Sequence, residues 1–372
     1  MQCPQGGEVW WKLDVANDTR GIIVIVLPLW SKGYQRPQAM SLASSAVKAL
    51  LSAANPRILR RMTSTPNISR LHRARGALLG LAVGDAIGTT VEFKPRGTFE
   101  PLTDMVGGGP FGLQPGQFTD DTSMALCLGA SLIEKGFDLH DQLTRYVRWA
   151  NEGYMSSNGR CFDIGIATRA ALQRFQRNAN PLAGSTDPSS AGNGCLMRLA
   201  PVPIRYLDQP EEAVQLSEEQ ARTTHQAPEC LAASRLFGEL LVRALQGKTK
   251  EEVLAPHALA GKLPVKLEAI GQGRYSTKSR DAIRGTGYVV DSLEATLWCF
   301  DQTDNFRDCI LMAANLGDDA DTTAAQAGQL AGAFYDESGI PAGWLGKLAM
   351  MTTIRDMADA LAMPTARQAV SQ

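Results

Sequence analysis

The chain has 372 residues, a formal net charge of −1 and 44% hydrophobic residues, which excludes a disordered or fibrous protein and suits one large globular domain or two ordinary ones. Near-balanced charge argues against a surface devoted to polyanions, so no nucleic-acid partner is expected. The seven cysteines and four histidines show neither C-x-x-C nor H-E-x-x-H spacing, so the thiols read as reduced cysteines of a cytoplasmic protein without a zinc motif.

In chain order, the first apolar run is residues 21–30. It falls short of the roughly 20 residues that span a bilayer, and its β-branched content suits a strand. Glu8, Asp14 and Asp18 precede it with no basic region close by, so neither a membrane span nor a secretory leader is expected. Residues 1–68 read as an N-terminal extension: one strand, a basic stretch ending in Arg60-Arg61, and a Ser/Thr/Pro/Asn linker over 63–69. Two readings of it stand. It is a loosely packed tail, with Met40 and Met62 available as alternative starts, or an arm that binds a partner or covers a site.

Residues 69–372 form the main domain. From Leu71 onward apolar residues recur at three- and four-residue spacing between loops rich in Gly, Pro and Asn, which predicts an all-α domain. The first helix carries Gly76, Gly80, Gly84 and Gly88. Each interior glycine costs about 1 kcal/mol relative to alanine, so four on one face imply the close approach of another backbone. Further helices are expected over 121–135, 138–151, 163–177, 210–224, 227–245, 292–300, 306–314, 321–335 and 342–357.

Two of these helices open on acids: Thr119-Asp120-Asp121-Thr122 and Asp318-Asp319-Ala320-Asp321-Thr322-Thr323. Short acids and hydroxyls suit a helix start, since they accept from unpaired N–H groups and oppose the macrodipole. Capping explains each cluster singly but not the repetition. If the two meet in space, their carboxylates need cations, and an all-oxygen donor set selects hard divalent ions such as Mg²⁺ or Mn²⁺.

Other segments carry weaker signals. Gly107-Gly108-Gly109-Pro110 suits either a backbone cradle for phosphate or a mobile turn. Gly192-Asn193-Gly194-Cys195-Leu196-Met197-Arg198 offers an amide and a cation among small residues, or a turn with a structural asparagine. His225 reads as a loop histidine facing a cleft or as a satisfied structural one. Tyr288, in a glycine loop, either stacks on a flat base or fills the core. Asp163 starts or caps a helix, and Glu92 either faces the site or pairs with Lys94.

Taken together, several ordered segments resemble the ADP-ribosylglycohydrolase family, which includes dinitrogenase reductase-activating glycohydrolase and the ADP-ribosylarginine hydrolases. The resemblance covers about residues 71–360. It rests on Arg75-Gly76-Ala77-Leu78-Leu79-Gly80, Gly84-Asp85-Ala86-Ile87-Gly88 with Glu92-Phe93, Phe118-Thr119-Asp120-Asp121-Thr122, and Gly192-Asn193-Gly194 with Met197-Arg198. It continues through Thr224-His225, Gly287-Tyr288-Val289-Val290-Asp291, and Asn315-Leu316-Gly317 with Asp319-Ala320-Asp321-Thr322. Asp318 departs from it, standing where the family often has glycine.

The resemblance implies a compact multi-helix fold with a two-metal centre, Mg²⁺ or Mn²⁺, that frees ADP-ribose from an acceptor on a protein. By motif position, Thr119, Asp120, Asp121, Asp319, Asp321 and Thr322 are its ligands, and Glu92 and Asp163 lie near the reacting sugar. Gly107, Gly108, Gly109, Asn193, Gly194, His225 and Tyr288 hold the diphosphate, ribose and adenine. Glycoside cleavage needs a carboxyl beside the scissile bond; Asp163 takes that role for an arginine linkage, with Glu92 assisting. Two alternatives stand beside an arginine acceptor. One is hydrolysis of serine-linked or O-acetyl ADP-ribose, and the other is an immunity-type protein that blocks an ADP-ribosyltransferase through residues 1–68.

Overall fold

The computed structural model describes residues 10–18, 21–29, 68–256 and 263–363. Arg60, Arg61, Met40, Met62 and most of the expected linker lie outside these residues. Contacts divide the chain between Thr65 and Pro66. In the first unit the expected strand is present as β2 (Gly21–Leu29), paired antiparallel with a strand the sequence did not announce, β1 (Trp10–Asp18), in the register Trp10 to Leu29 and Asp18 to Gly21.

The second unit is helical. Its elements are α1 (Ile68–Gly88), α2 (Asp120–Glu134), α3 (Leu139–Glu152), α4 (Ile166–Asn178), α5 (Pro201–Arg205), α6 (Pro210–Ala221) and α7 (Pro228–Leu245). These are followed by α8 (Lys250–Leu254), α9 (Val265–Gly271), α10 (Val289–Asp301), α11 (Phe306–Ala314), α12 (Ala320–Tyr335), α13 (Ala342–Lys347) and α14 (Met351–Ala362). Among the described residues no helix is long and apolar enough to cross a membrane, and the cysteines Cys127, Cys161, Cys195, Cys230, Cys299 and Cys309 are free.

The glycine stripe brings two backbones into contact. A Cβ on Gly76, Gly80, Gly84 or Gly88 would lie 2.1, 2.3, 2.1 or 2.4 Å from the carbonyl oxygens of Gly332, Gly328, Ala324 and Ala320. The partners descend by fours as the stripe ascends, so α1 and α12 run antiparallel at a separation that no β-carbon on the stripe would allow. This contact sets the C-terminal end of α1 against the acidic start of α12.

Two buried amides fix the rest of the frame to α12. Gln329 accepts from the Ala200 N–H at 2.8 Å and donates to the carbonyls of Leu196 and Met197 at 3.0 and 2.8 Å. Gln326 donates to Ser292 at 2.9 Å and accepts from Thr296 at 3.2 Å. Each satisfies its polar atoms inside the core, where an unpaired amide is costly.

Two expected helices differ. Residues 342–357 form two helices, because the Ala349 N–H donates to the Gly116 carbonyl at 2.9 Å and the chain turns at Met350, with φ 54°. The helix expected from Asp163 starts instead at Ile166, leaving Asp163 in the preceding loop with φ 51°.

Candidate active site

The two acidic helix starts meet. The Thr119 hydroxyl lies 3.3 Å from Asp121 Oδ2 and 3.4 Å from Asp321 Oδ2, and the Thr322 hydroxyl lies 3.4 Å from Asp121 Oδ2. What holds α2 in place is a residue not assigned a role from sequence. Asp85, buried in α1, accepts from the N–H and hydroxyl of Thr119 at 2.8 and 2.9 Å and from those of Thr122 at 3.0 and 2.6 Å. It caps α2 from another helix, and Thr119 itself makes no side-chain cap. The only local signal was a lone acid in the interior of a small-residue helix.

Glu92 follows the short helical turn after α1. It faces inward, and no ion pair joins it to Lys94 among the described residues; one oxygen each of Glu92, Asp319 and Asp321 lie within 4.8 Å of one another. The loops bearing Glu92 and Asp319 are stitched together, since Phe93 N–H donates to the Asp318 carbonyl at 2.7 Å and Asp318 N–H to the Lys94 carbonyl at 2.9 Å. Asp318 has φ 58°, a conformation that favours glycine and is tolerated by aspartate. That accounts physically for an aspartate where the family often has glycine.

One wall beside these acids is built from the Asn193 turn and His225. Asn193 donates to Asp319 Oδ2 at 2.6 Å and to Ser292 at 3.1 Å. The His225 ring packs on the flanking glycines, and a Cβ on Gly194 would fall 2.8 Å from its Cε1. Arg198, fully buried, donates to the Gly194 carbonyl at 2.9 Å and to the Thr224 hydroxyl at 2.7 Å. The Thr224 hydroxyl accepts from Arg198 and lies 2.7 Å from His225 Nδ1; turned to the ring, its proton suits the tautomer in which His225 carries its own proton on Nε2. Burial, with Arg198 nearby, pushes its pKa down to about 3 and keeps the ring neutral.

Glu92, Asp120, Asp163, Asp319, Asp321, Asn193 and His225 line one cavity of about 860 Å³, large enough for a nucleotide-sized ligand. Burial raises the carboxylates against one another. Asp120, Asp121 and Asp321 stand well above the usual range. Glu92 is pushed up to about 9 by burial and then by Asp163 and Asp319; Asp163 is pushed up to about 7 by burial and then by Asp85 and Asp319. Asp121 Oδ1 is buried without a hydrogen-bond partner among the described residues. Crowded, oxygen-only donors with an unpaired buried carboxylate oxygen fit a hard divalent cation.

Other expected residues are placed differently. Gly107, Gly108 and Gly109 do not line the cavity. The Gly108 N–H and carbonyl both pair with Leu113, at 2.7 and 2.9 Å, so a tight hairpin occupies the Gly108 donor. Tyr288 lines an adjoining hollow of about 480 Å³ with Lys266 and Glu229. Its hydroxyl donates to Glu229 at 2.6 Å and accepts from Lys266 at 2.9 Å.

A helical scaffold that gathers carboxylates from two helix starts on the floor of an open cavity is a hydrolase-like architecture, and the comparisons say which. A model of the ADP-ribosylglycohydrolase family matches residues 66–370, and the chain belongs to that family. It is 48% identical to ADP-ribosylarginine hydrolase Tri1 of Serratia proteamaculans (strain 568) over 80% of each chain. It is 49% identical to the protein of the same name from Pseudomonas putida (strain GB-1) over 83% of each. A solved ADP-ribosylglycohydrolase-related protein complex superposes with a TM-score of 0.72 at 43% identity, covering 79% of this chain and 98% of that one.

Proposed function

We propose that this protein hydrolyses the bond between ADP-ribose and arginine on an ADP-ribosylated protein, using divalent cations. The observation that carries the reading is the convergence of Glu92, Asp319 and Asp321 under a cavity walled by Asn193, Gly194 and His225. The similarity to hydrolases named for ADP-ribosylarginine supports the acceptor.

Thr119, Asp120, Asp121, Asp319, Asp321 and Thr322 would hold two ions, Mg²⁺ or Mn²⁺, with Glu92 beside them. Such ions, when bound, neutralise the carboxylates, orient ribose hydroxyls and make water a better nucleophile. Asp163, on a loop at the side of the cavity, gives its proton to the departing guanidine nitrogen as the ribose–nitrogen bond breaks. Ionised by that step, it takes a proton from the incoming water, so the carboxyl ends as it began. The His225 Nε2–H donates to ligand oxygens, and Asn193 keeps Asp319 oriented. Tyr288, across its backbone bridge to Gly192, offers an aromatic face to the adenine in the adjoining hollow. The free cysteines suit a reducing cytoplasm.

The test is release of ADP-ribose from arginine-modified protein, with and without Mg²⁺ or Mn²⁺, against serine-linked substrate. Metal-dependent release from arginine alone supports the reading, and release from serine alone replaces the acceptor.

A second reading concerns the extension. A two-stranded ribbon is marginal by itself, and among the described residues β1 and β2 pair only with each other, so the hairpin is a candidate contact for an ADP-ribosyltransferase. Binding that survives Asp319→Ala and is lost on deletion of residues 1–68 supports it.

A further inference from the structure

Gly107, Gly108 and Gly109 do not line the cavity, and the Gly108 N–H is committed to Leu113, so a diphosphate inside the cavity needs another donor. The cavity around it is hostile to an anion, since Glu92, Asp120, Asp163, Asp318, Asp319 and Asp321 all line it. Among the described lining residues a single lysine or arginine is present, Arg284. Its side chain is exposed and makes no hydrogen bond or ion pair with any described residue. Neighbouring guanidiniums are committed to the fold: Arg96 donates to the carbonyls of Leu316, Arg280 and Ile283, and Arg280 to that of Asn315 at 2.9 Å.

The root of Arg284 is fixed on both sides. The Ile283 carbonyl is held by Arg96, and the Gly285 carbonyl accepts from the Asp319 N–H at 2.9 Å. An arginine unpaired at its tip and pinned at its base beside Asp319 has the form of a ligand-holding arm. Resting on the reading proposed above, the geometry points to Arg284 as the residue that grips the diphosphate of ADP-ribose, orienting the substrate so that its distal ribose reaches Asp163 and Asp319. A guanidinium presents a planar fork of N–H donors that matches phosphate oxygens, which an ammonium cannot reproduce.

The experiment compares affinity for ADP-ribose and for adenosine in the full-length, Mn²⁺-supplied protein, with Arg284→Ala and Arg284→Lys. Arg284→Ala should weaken ADP-ribose by roughly tenfold or more, the value of a charge-assisted contact, and leave adenosine unchanged. Arg284→Lys should recover part of the loss, and in turnover the defect should fall on KM more than on kcat. Unchanged ADP-ribose affinity, or an equal loss for adenosine, would overturn the assignment. Wild-type protein that binds neither ligand would overturn the underlying reading instead.

Discussion

The Asp85 carboxylate and Thr122 are joined twice, by the Thr122 hydroxyl at 2.6 Å and its N–H at 3.0 Å, so one helix is capped by the middle of another. With the matching pair from Thr119, four donors converge on two buried oxygens. Asp85→Ala strands these donors and should cost about 2–3 kcal/mol, the scale of a lost cap and of hydrogen bonds to a charged group. Asp85→Asn keeps one acceptor oxygen and should recover only part of it. Thermal unfolding measures the cost, and Mn²⁺ titration of the folded fraction should show weakened binding because α2 is no longer fixed. An Asp85→Ala protein with wild-type melting and Mn²⁺ affinity would contradict this.

Gly84→Ala tests the backbone contact that brings the site together. Its Cβ would fall 2.1 Å from the Ala324 carbonyl oxygen and 2.5 Å from its carbon, atoms that move only if the helices separate. Overpacking of this kind costs about 1–3 kcal/mol or more, and separation also draws Asp85 away from the start of α12. Gly343→Ala is the control, since no described residue lies within 4 Å of its Cβ position. The first should lower the melting temperature clearly and the second should not. Equal effects would remove the special status of the stripe.

The stripe and the acidic starts were legible because both are local patterns whose meaning follows from spacing: glycines by fours, and acids where a helix begins. Asp85 was not, because its partners lie on a helix that begins more than thirty residues later and only packing aims it at them. The glycine run was ambiguous for a related reason. It has the same sequence whether its N–H groups are free or, as at Gly108, one is returned to Leu113. Helical periodicity likewise runs through residues 342–357, and the break comes from the Gly116 carbonyl, distant in sequence. Arg284 looks like any surface arginine until its acidic surroundings and its lack of partners among the described residues are seen together.

Metal-free protein should be most stable in mildly acidic solution. Glu92 and Asp163 rise from 4.5 and 3.8 to about 9 and about 7 in the fold. The folded state therefore holds protons that the unfolded chain has released, and stability falls as pH rises from about 4 towards those values. His225, lowered from 6.5 to about 3, acts oppositely: the unfolded chain gains a proton the fold refuses, so stability is lost as pH drops below about 6.5. Between about pH 4.5 and 6.5 the two acids outweigh the single histidine, so the melting temperature of chelator-treated protein should be highest near pH 4 to 5 and fall from there through neutrality. At pH 8, Mg²⁺ or Mn²⁺ should raise it by offsetting the repelling carboxylates. A metal-free melting temperature that climbs steadily to pH 9 would refute the crowding of buried acids.

Asp163 and Asp319 face the same cavity from different supports, and their substitutions should separate two roles. Asp319 sits at the start of α12, with its Oδ2 held by Asn193 at 2.6 Å and an oxygen within 4.8 Å of one each from Glu92 and Asp321. Asp319→Ala should abolish turnover and weaken Mn²⁺ binding together. Asp163 stands in the loop before α4 and is absent from that trio, so Asp163→Asn should leave Mn²⁺ binding near wild type. As the proton-transfer group it should still lower kcat by about 10²–10⁴-fold, while ADP-ribose affinity changes little. Mn²⁺ titration beside steady-state turnover distinguishes the cases. Should Asp163→Asn lose the metal as well, Asp163 belongs among the ligands and Glu92 becomes the acid; full metal-dependent turnover by Asp319→Ala would remove the α12 start from the site altogether.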